Sequence, residues 1–404
     1  MVVAFGSAGA SSYAGFTACR TLQGFFGAPP QVIGLTIIHD MFFFHERARK
    51  VNLWAFSFLI GPYAGPFVSQ FLITVLSWRT VMHLLGVFYA ASTLSLVFLG
   101  HETLYDRSGL NKPTITGLNL RIQNLLGTTG ARASGRPGVW QVTKDCCYLF
   151  ARPYLFLPSK ETPPCRAFSL VLIPSLAAGF VMIITMWTIG IVSTIGLFIH
   201  PPPYKFSDTA AALLYFAPMI GTVAAEFWGH WFNDFLQNRY IRTHNGQFKP
   251  EVRLWGVYPA WIMGIAGLVL FGLSLQYTLS WVGIAFGWGM NCFSTLGTTA
   301  AISAYVLDCF PQHAALASSW INFWRVIGRL PSSESSCPSS VMLTHLSGGF
   351  TVVYFQVHWV HHNGPAVAFG CQAAIVAAFI VPVIITQIKG PRWRVKYPAP
   401  KPEN

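Results

Sequence analysis

Charge is what this chain has least of. Asp, Glu, Lys and Arg make up only 10% of its 404 residues, and 13 of those residues are acidic. A soluble domain carries about 25%. A chain this poor in charge does not clothe an ordinary globule in water-facing groups, so a soluble class is excluded. Organised cysteine chemistry is lacking too. The eight cysteines are scattered without a CxxC pair, so neither a zinc site nor a disulfide framework is expected. Cys146-Cys147 lies in a basic loop and reads as two free thiols, with palmitoylation as the alternative. There is no Walker loop, and Gly287-Trp-Gly289 followed by Cys292 is not a GxGxxG fingerprint. Nucleotide binding and ATP-driven work are therefore not expected, and no cofactor is. No short apolar segment with an A-x-A-like site opens the chain, so no cleaved leader is expected. No repeat of the solenoid or propeller kind occurs.

What is present is apolar and aromatic: 53% hydrophobic residues, 15% Phe, Trp and Tyr, and a mean hydropathy of +0.49. A bilayer-crossing helix needs about 20 apolar residues. Nine runs approach or exceed that length: 14–38, 51–76, 80–100, 168–199, 208–230, 254–273, 279–307, an interrupted one over 313–360, and 365–388. The expected class is an all-α polytopic membrane protein. The net charge of +13 could suggest nucleic acid, but its placement argues otherwise. Twenty-one of the 26 Lys and Arg fall in alternate connections, at 45–50, 101–167, 231–253 and 389–401. The opposite connections hold only Arg79 and Lys205. That asymmetry is the positive-inside pattern, with the basic side cytoplasmic. Partners are then the lipid bilayer and a small solute, with no nucleic acid.

The stretch from Tyr13 to Pro66 carries the most information. Two apolar runs flank a charged hinge of Asp40, Glu46, Arg47, Arg49 and Lys50. Arg20 lies inside the first run, and an ionisable group at membrane depth is a functional candidate by default. Gly61-Pro62-Tyr-Ala-Gly65-Pro66 lies inside the second, where helix breakers need neighbours to re-satisfy the backbone. Arg20-Thr-Leu-Gln23-Gly24, the His39-Asp40 to Glu46-Arg47 turn, the double Gly-Pro and Glu102-Thr-Leu-Tyr-Asp-Arg107 together resemble the major facilitator superfamily. Within it they resemble the fungal twelve-span drug:proton antiporters. The resemblance implies a two-bundle fold with about nine of twelve spans present. Residues 1–100 would be part of the N-terminal bundle, spans four to six. Residues 101–167 would be a cytoplasmic central loop, 168–390 a six-helix C-terminal bundle, and 391–404 a cytoplasmic tail. Because family members begin and end inside, three spans are expected ahead of Ala14, with 1–10 as the stub of the third.

The eighth run is interrupted by a Ser- and Pro-rich segment at 329–348. Joining Gly328 to Gly349 would restore one long span. The expected reading is intron sequence carried as coding sequence, with a re-entrant loop as the alternative.

Site residues follow from the same comparison. Arg20 is expected to couple proton movement to the transport cycle, against the plainer reading of an interhelical clamp. Glu226 stands alone as a carboxylate well inside a run and is the candidate proton carrier. The competing view places it at the inner mouth. Gly61, Pro62, Gly65 and Pro66 would form the antiporter hinge or ordinary close packing. Asp40, Glu46 and Arg47, with Gly229, Asp234 and Arg239, would gate the inner face, or simply be positive-inside charges and their partners. Asn291, Tyr305, Trp320, Asn322, Trp324, Arg325 and Gln356 would suit a large amphipathic substrate, with rings for contact and amides for orientation. The rival class is a membrane di-iron enzyme, since His358-Trp-Val-His361-His362 spells HxxHH. The other nine histidines form no matching box, so no metal and no enzyme is expected. The function expected is proton-coupled export of drugs or small metabolites by a plasma-membrane monomer. Uptake of a small solute and a non-transporting remnant remain the alternatives.

Overall fold

A computed structural model describes residues 2–99 apart from 28–32, 36, 39, 40 and 43, residues 181–309 apart from 182, 183, 186, 247 and 248, and residues 348–396. Every regular element among them is helical. In chain order these are α1 (Val2–Gly9), α2 (Tyr13–Gly27), α3 (Phe44–Val75) and α4 (Trp78–Leu99). After the central segment come α5 (Trp187–Ile199), α6 (Asp208–Leu214) and α7 (Phe216–Thr243). A 3₁₀ turn (Pro250–Gly256) leads into α8 (Val257–Gln276), then α9 (Trp281–Cys309). The described chain closes with α10 (Gly348–Asn363), α11 (Pro365–Ala378) and α12 (Ile380–Lys396).

Five helical stretches are long and apolar enough to cross a membrane: Arg49–Val75, Trp78–Leu99, Asp208–Thr243, Pro250–Gln276 and Pro365–Arg392. Each coincides with an expected run, although the helices overshoot it. α7 continues through Gly229–Arg239, a stretch the sequence reads as a loop. The central loop, 310–347 and the residues after 396 lie outside the described residues.

α9 is the axle of the C-terminal group. It packs on α7, α8, α3 and the 3₁₀ turn. Its buried positions include Asn291, Ser294, Thr295, Thr298, Thr299 and Ser303. Two of the hydroxyls bond back to the helix itself, Thr295 Oγ1 to the Asn291 carbonyl (2.9 Å) and Thr298 Oγ1 to the Ser294 carbonyl (2.7 Å). Those of Ser294, Thr299 and Ser303 have no partner among the described residues.

Glycines set how close the helices come. Between helices in lipid the hydrophobic drive is absent, so association depends on van der Waals contact through small residues. A Cβ on Gly221 of α7 would lie 2.2 Å from the Gly289 carbonyl oxygen of α9. A Cβ on Gly287 would lie 2.7 Å from the Phe271 amide nitrogen of α8, and one on Gly264 2.4 Å from Ser294 Oγ. Two further local features fix the connections. Ser207 caps α6 by accepting from the Ala210 amide (3.3 Å). Gly364, at φ +84°, turns α10 into α11 through a conformation that suits glycine.

α3 is the member of the N-terminal group that holds the C-terminal one. It stays a single helix of 32 residues through Pro62 and Pro66. Its buried stripe is Val51, Ala55, Leu59 and Tyr63, one residue per turn. That stripe meets Ala225 of α7 and Leu296, Ala300, Ala304 and Leu307 of α9.

Candidate functional site at the seam between the two helical groups

The α3 seam carries polar contacts at both ends and rings between. At one end Arg49 forms an ion pair with Asp234 of α7. One turn further along α3, the Asn52 Nδ2 donates to Glu226 Oε2 (2.6 Å) and to the Glu226 carbonyl oxygen (3.0 Å). Asn52 is 1% exposed, and its Oδ1 has no hydrogen-bond partner among the described residues. A Cβ on Gly229 would lie 2.6 Å from that Oδ1, so glycine there makes room for the amide. Midway, Tyr63 meets Trp288 edge to face, with ring centroids 6.4 Å apart. Beyond it Phe67 packs on Phe216 at 4.6 Å. At the far end the Gln70 Nε2 donates to Asp208 Oδ1 (3.4 Å).

Glu226 is half-buried, and Asn52 is its polar side-chain partner. Arg20 stands elsewhere. It is exposed on α2, donating to Gln23 Oε1 (3.1 Å) and Met82 Sδ (3.4 Å) and lying over the Phe16 ring. No carboxylate is among its partners within the described residues, and the structure does not bring it to Glu226. Gln23 in turn donates to Tyr89 Oη (3.3 Å), so α2 is tied to α4 by this polar pair.

Of the expected inner-face residues, Asp234 is taken by Arg49 and Arg239 lies five residues further along α7. Glu46 is exposed on the first turn of α3. Asp40 and the Arg47 side chain lie outside the described residues. A second ionic cluster occupies the same end of the molecule. Arg253 of the 3₁₀ turn pairs with Asp308 of α9, and both side chains are 2% exposed. Glu251 is buried beside them, and a Cβ on Gly390 would sit 3.3 Å from its Oε1 and 3.2 Å from Tyr305 Oη.

Gly61 and Gly65 face open space: a Cβ on either would meet nothing within 4 Å. Among the described residues no other helix closes on the double Gly-Pro at these two glycines. Three of the expected pocket residues are described. Asn291 donates to Thr188 Oγ1 (3.0 Å), which also bonds Thr295 Oγ1 (2.6 Å), tying α5 to α9. Tyr305 lies fourteen residues further along α9, about 21 Å at the helical rise. Gln356 is fully buried against Gly190, and neither amide atom has a partner among the described residues. Trp320, Asn322, Trp324 and Arg325 lie outside the described residues. His358, His361 and His362 follow one another on α10, and no group of three potential metal ligands occurs among the described residues.

A cavity of about 810 Å³ opens between α6, α7, α8 and α9. Phe206, Phe216, Ile220, Met263, Phe286 and Phe293 line it, and none of the expected pocket residues does. Tyr204 Oη donates to the Ser274 (2.7 Å) and Leu279 (2.9 Å) carbonyls, and partial burial pushes its phenol above the ordinary tyrosine value.

Sequence reasoning passed over Asn52. The signal available was an amide one turn from a basic cluster on a run otherwise apolar on that face.

A profile of the Major Facilitator Superfamily matches residues 1–333, and the chain belongs to that family. The resemblance drawn from the sequence and the facilitator fold it implied are borne out. Among curated relatives, the MFS-type transporter penM of Penicillium rubens is 26% identical over 300 residues, covering 73% of this chain and 54% of that protein. The efflux pump radE of Floropilus chiversii is 24% identical over 318 residues, covering 74% and 52%. The probable efflux pump mfs2 of Aspergillus flavus is 25% identical over 320 residues, covering 75% and 67%. The chain thus spans about half the length of most of the curated relatives it matches. The crystal structure of the human organic anion transporter MFSD10 aligns with a TM-score of 0.54 at 14% identity, covering 95% of this chain and 74% of that one. That likeness concerns the fold alone.

Proposed function

We propose that this facilitator-family membrane protein is a proton-coupled exporter of small organic molecules, working by alternating access at the seam between its two helical groups. The observation that carries the reading is Glu226: a carboxylate within a membrane-capable helix, held at the α3–α7 contact by an amide from the other group. A titratable group at that contact can make the relative position of the groups depend on proton binding. Arg20 takes the second role, as a cation on α2 linked through Gln23 to α4. The efflux-pump names of the relatives support export, and the plasma membrane is the location proposed.

The test is transport in vesicles holding the 404-residue chain, with a fluorescent amphipathic dye as cargo. Export should run only while a proton gradient stands and stop on adding a protonophore. Glu226→Gln should abolish it at unchanged protein level. Dye accumulation in the reverse sense would make the protein an importer, and transport by Glu226→Gln that still follows the gradient would remove Glu226 from the coupling.

A further inference from the structure

The contact between Asn52 and Glu226 is more than a packing detail, because its strength depends on the charge of the carboxylate. The amide Nδ2 sits where it serves two acceptors of one residue, the Oε2 at 2.6 Å and the main-chain oxygen at 3.0 Å. Its Oδ1 is buried, unpartnered and turned to Gly229. The arrangement suits an ionised Glu226, which only accepts. Proton uptake changes the partnership whichever oxygen receives the proton. On Oε2 the new O–H would have to turn away from Nδ2–H, leaving a neutral hydroxyl oxygen as the weaker acceptor. On Oε1 the Oε2 would still accept, but as a neutral group, in a bond roughly half as strong. Turning the amide over would bring Oδ1 against the main-chain oxygen and give up the bond that oxygen now accepts.

Among the described residues no charged side chain bonds to Glu226. On α3, Arg49 is engaged by Asp234, Lys50 lies over the Phe42 ring, and Glu46 is on the first turn. On α7 itself, His230 follows one turn later and Asp234 two. On α9, Asp308 is held by Arg253 of the 3₁₀ turn, which also carries Glu251; Tyr305, Cys292 and Cys309 are the remaining titratable groups of that helix. None of them makes a hydrogen bond or ion pair with Glu226 among the described residues.

We infer that Asn52 and Glu226 form a proton-released clasp: the ionised carboxylate holds α3 to α7, and proton uptake frees that edge of the seam. Asn52 is then a positioning residue of the transport cycle. The inference rests on the reading of Glu226 as the proton carrier and adds to it the element that the proton acts upon.

The experiment is a distance measurement by pulsed electron resonance on the full chain in lipid nanodiscs. Spin labels go on Ser57 of α3 and Trp231 of α7, both exposed, with the native cysteines replaced. The unsubstituted clasp should give a short distance at neutral pH and a longer, broader distribution at acid pH. Asn52→Leu should give the long distribution at both. Gly229→Ala, whose methyl would crowd Oδ1, should do the same and serves if Asn52→Leu fails to fold. Glu226→Gln should show no response to pH. If Asn52→Leu or Gly229→Ala follows pH as the parent does while Glu226→Gln is flat, the clasp is overturned and the proton carrier stands. If Glu226→Gln still responds, both fall.

Discussion

Arg253 and Asp308 are 55 positions apart in the chain, and each is 2% exposed. Two charges buried this deeply persist because they are paired. Removing one takes a counter-charge from the other, a loss of about 3–5 kcal/mol for such pairs. Arg253→Ala should therefore lower the unfolding midpoint in detergent sharply, and replacing both residues by apolar ones of similar size should recover much of it. Gln356 poses the opposite problem, an amide buried without partners against Gly190. A Cβ on Gly190 would lie 2.0 Å from its Oε1, so Gly190→Ala must displace the amide. The expected outcome is a destabilisation of about 1–3 kcal/mol, the usual cost of overpacking, read by thermal unfolding. Tyr204 offers a milder case. Tyr204→Phe removes a donor to two carbonyls, a cost of about 1 kcal/mol, and the α8–α9 turn should exchange amide hydrogens faster.

At the scale of the helix, two sets of glycines behave oppositely. On those at the α7–α9 and α8–α9 contacts a Cβ would collide with a neighbour's backbone, as at Gly221 and Gly287. Gly221→Val or Gly287→Val should prevent the helices from closing and sharply reduce the folded yield, measured by size-exclusion profile. Gly61 and Gly65 on α3 have open space beside them. Gly61→Ala should leave stability within about 1 kcal/mol, since alanine also favours the helix. A loss of transport in that variant at unchanged stability would report a motion of α3. The reason one set was legible and the other was not is the pattern. Gly-Pro pairs stand out in an apolar run, whereas the seam glycines are ordinary members of Gly-rich membrane helices until a partner helix is known.

At the scale of the molecule, α3 connects the N-terminal group to the C-terminal one through an ion pair, an amide–carboxylate contact, two ring contacts and a distant Gln–Asp contact. Rocking of one group against the other must break or slide these in order. Arg49→Asp and Asp234→Arg should each impair export, and the double exchange should restore it, because only the sign of the pair would be reversed. Arg49 is about half exposed, so the pair adds little to fold stability and the effect should appear in transport rate.

The chain's apolar runs, their length and the lopsided distribution of Lys and Arg determined by themselves that this is a helical membrane protein. The motif set around Arg20, the double Gly-Pro and Glu102–Arg107 was enough to place it in its family. Composition and spacing are local properties, and membrane spans are local structures whose backbone bonds close within one segment. The pairing of Asn52 with Glu226, of Arg49 with Asp234, and of Arg253 with Asp308 joins residues 174, 185 and 55 positions apart. Which face of α3 meets which face of α7 depends on how closely glycines let the helices approach, and only the tertiary structure decided that.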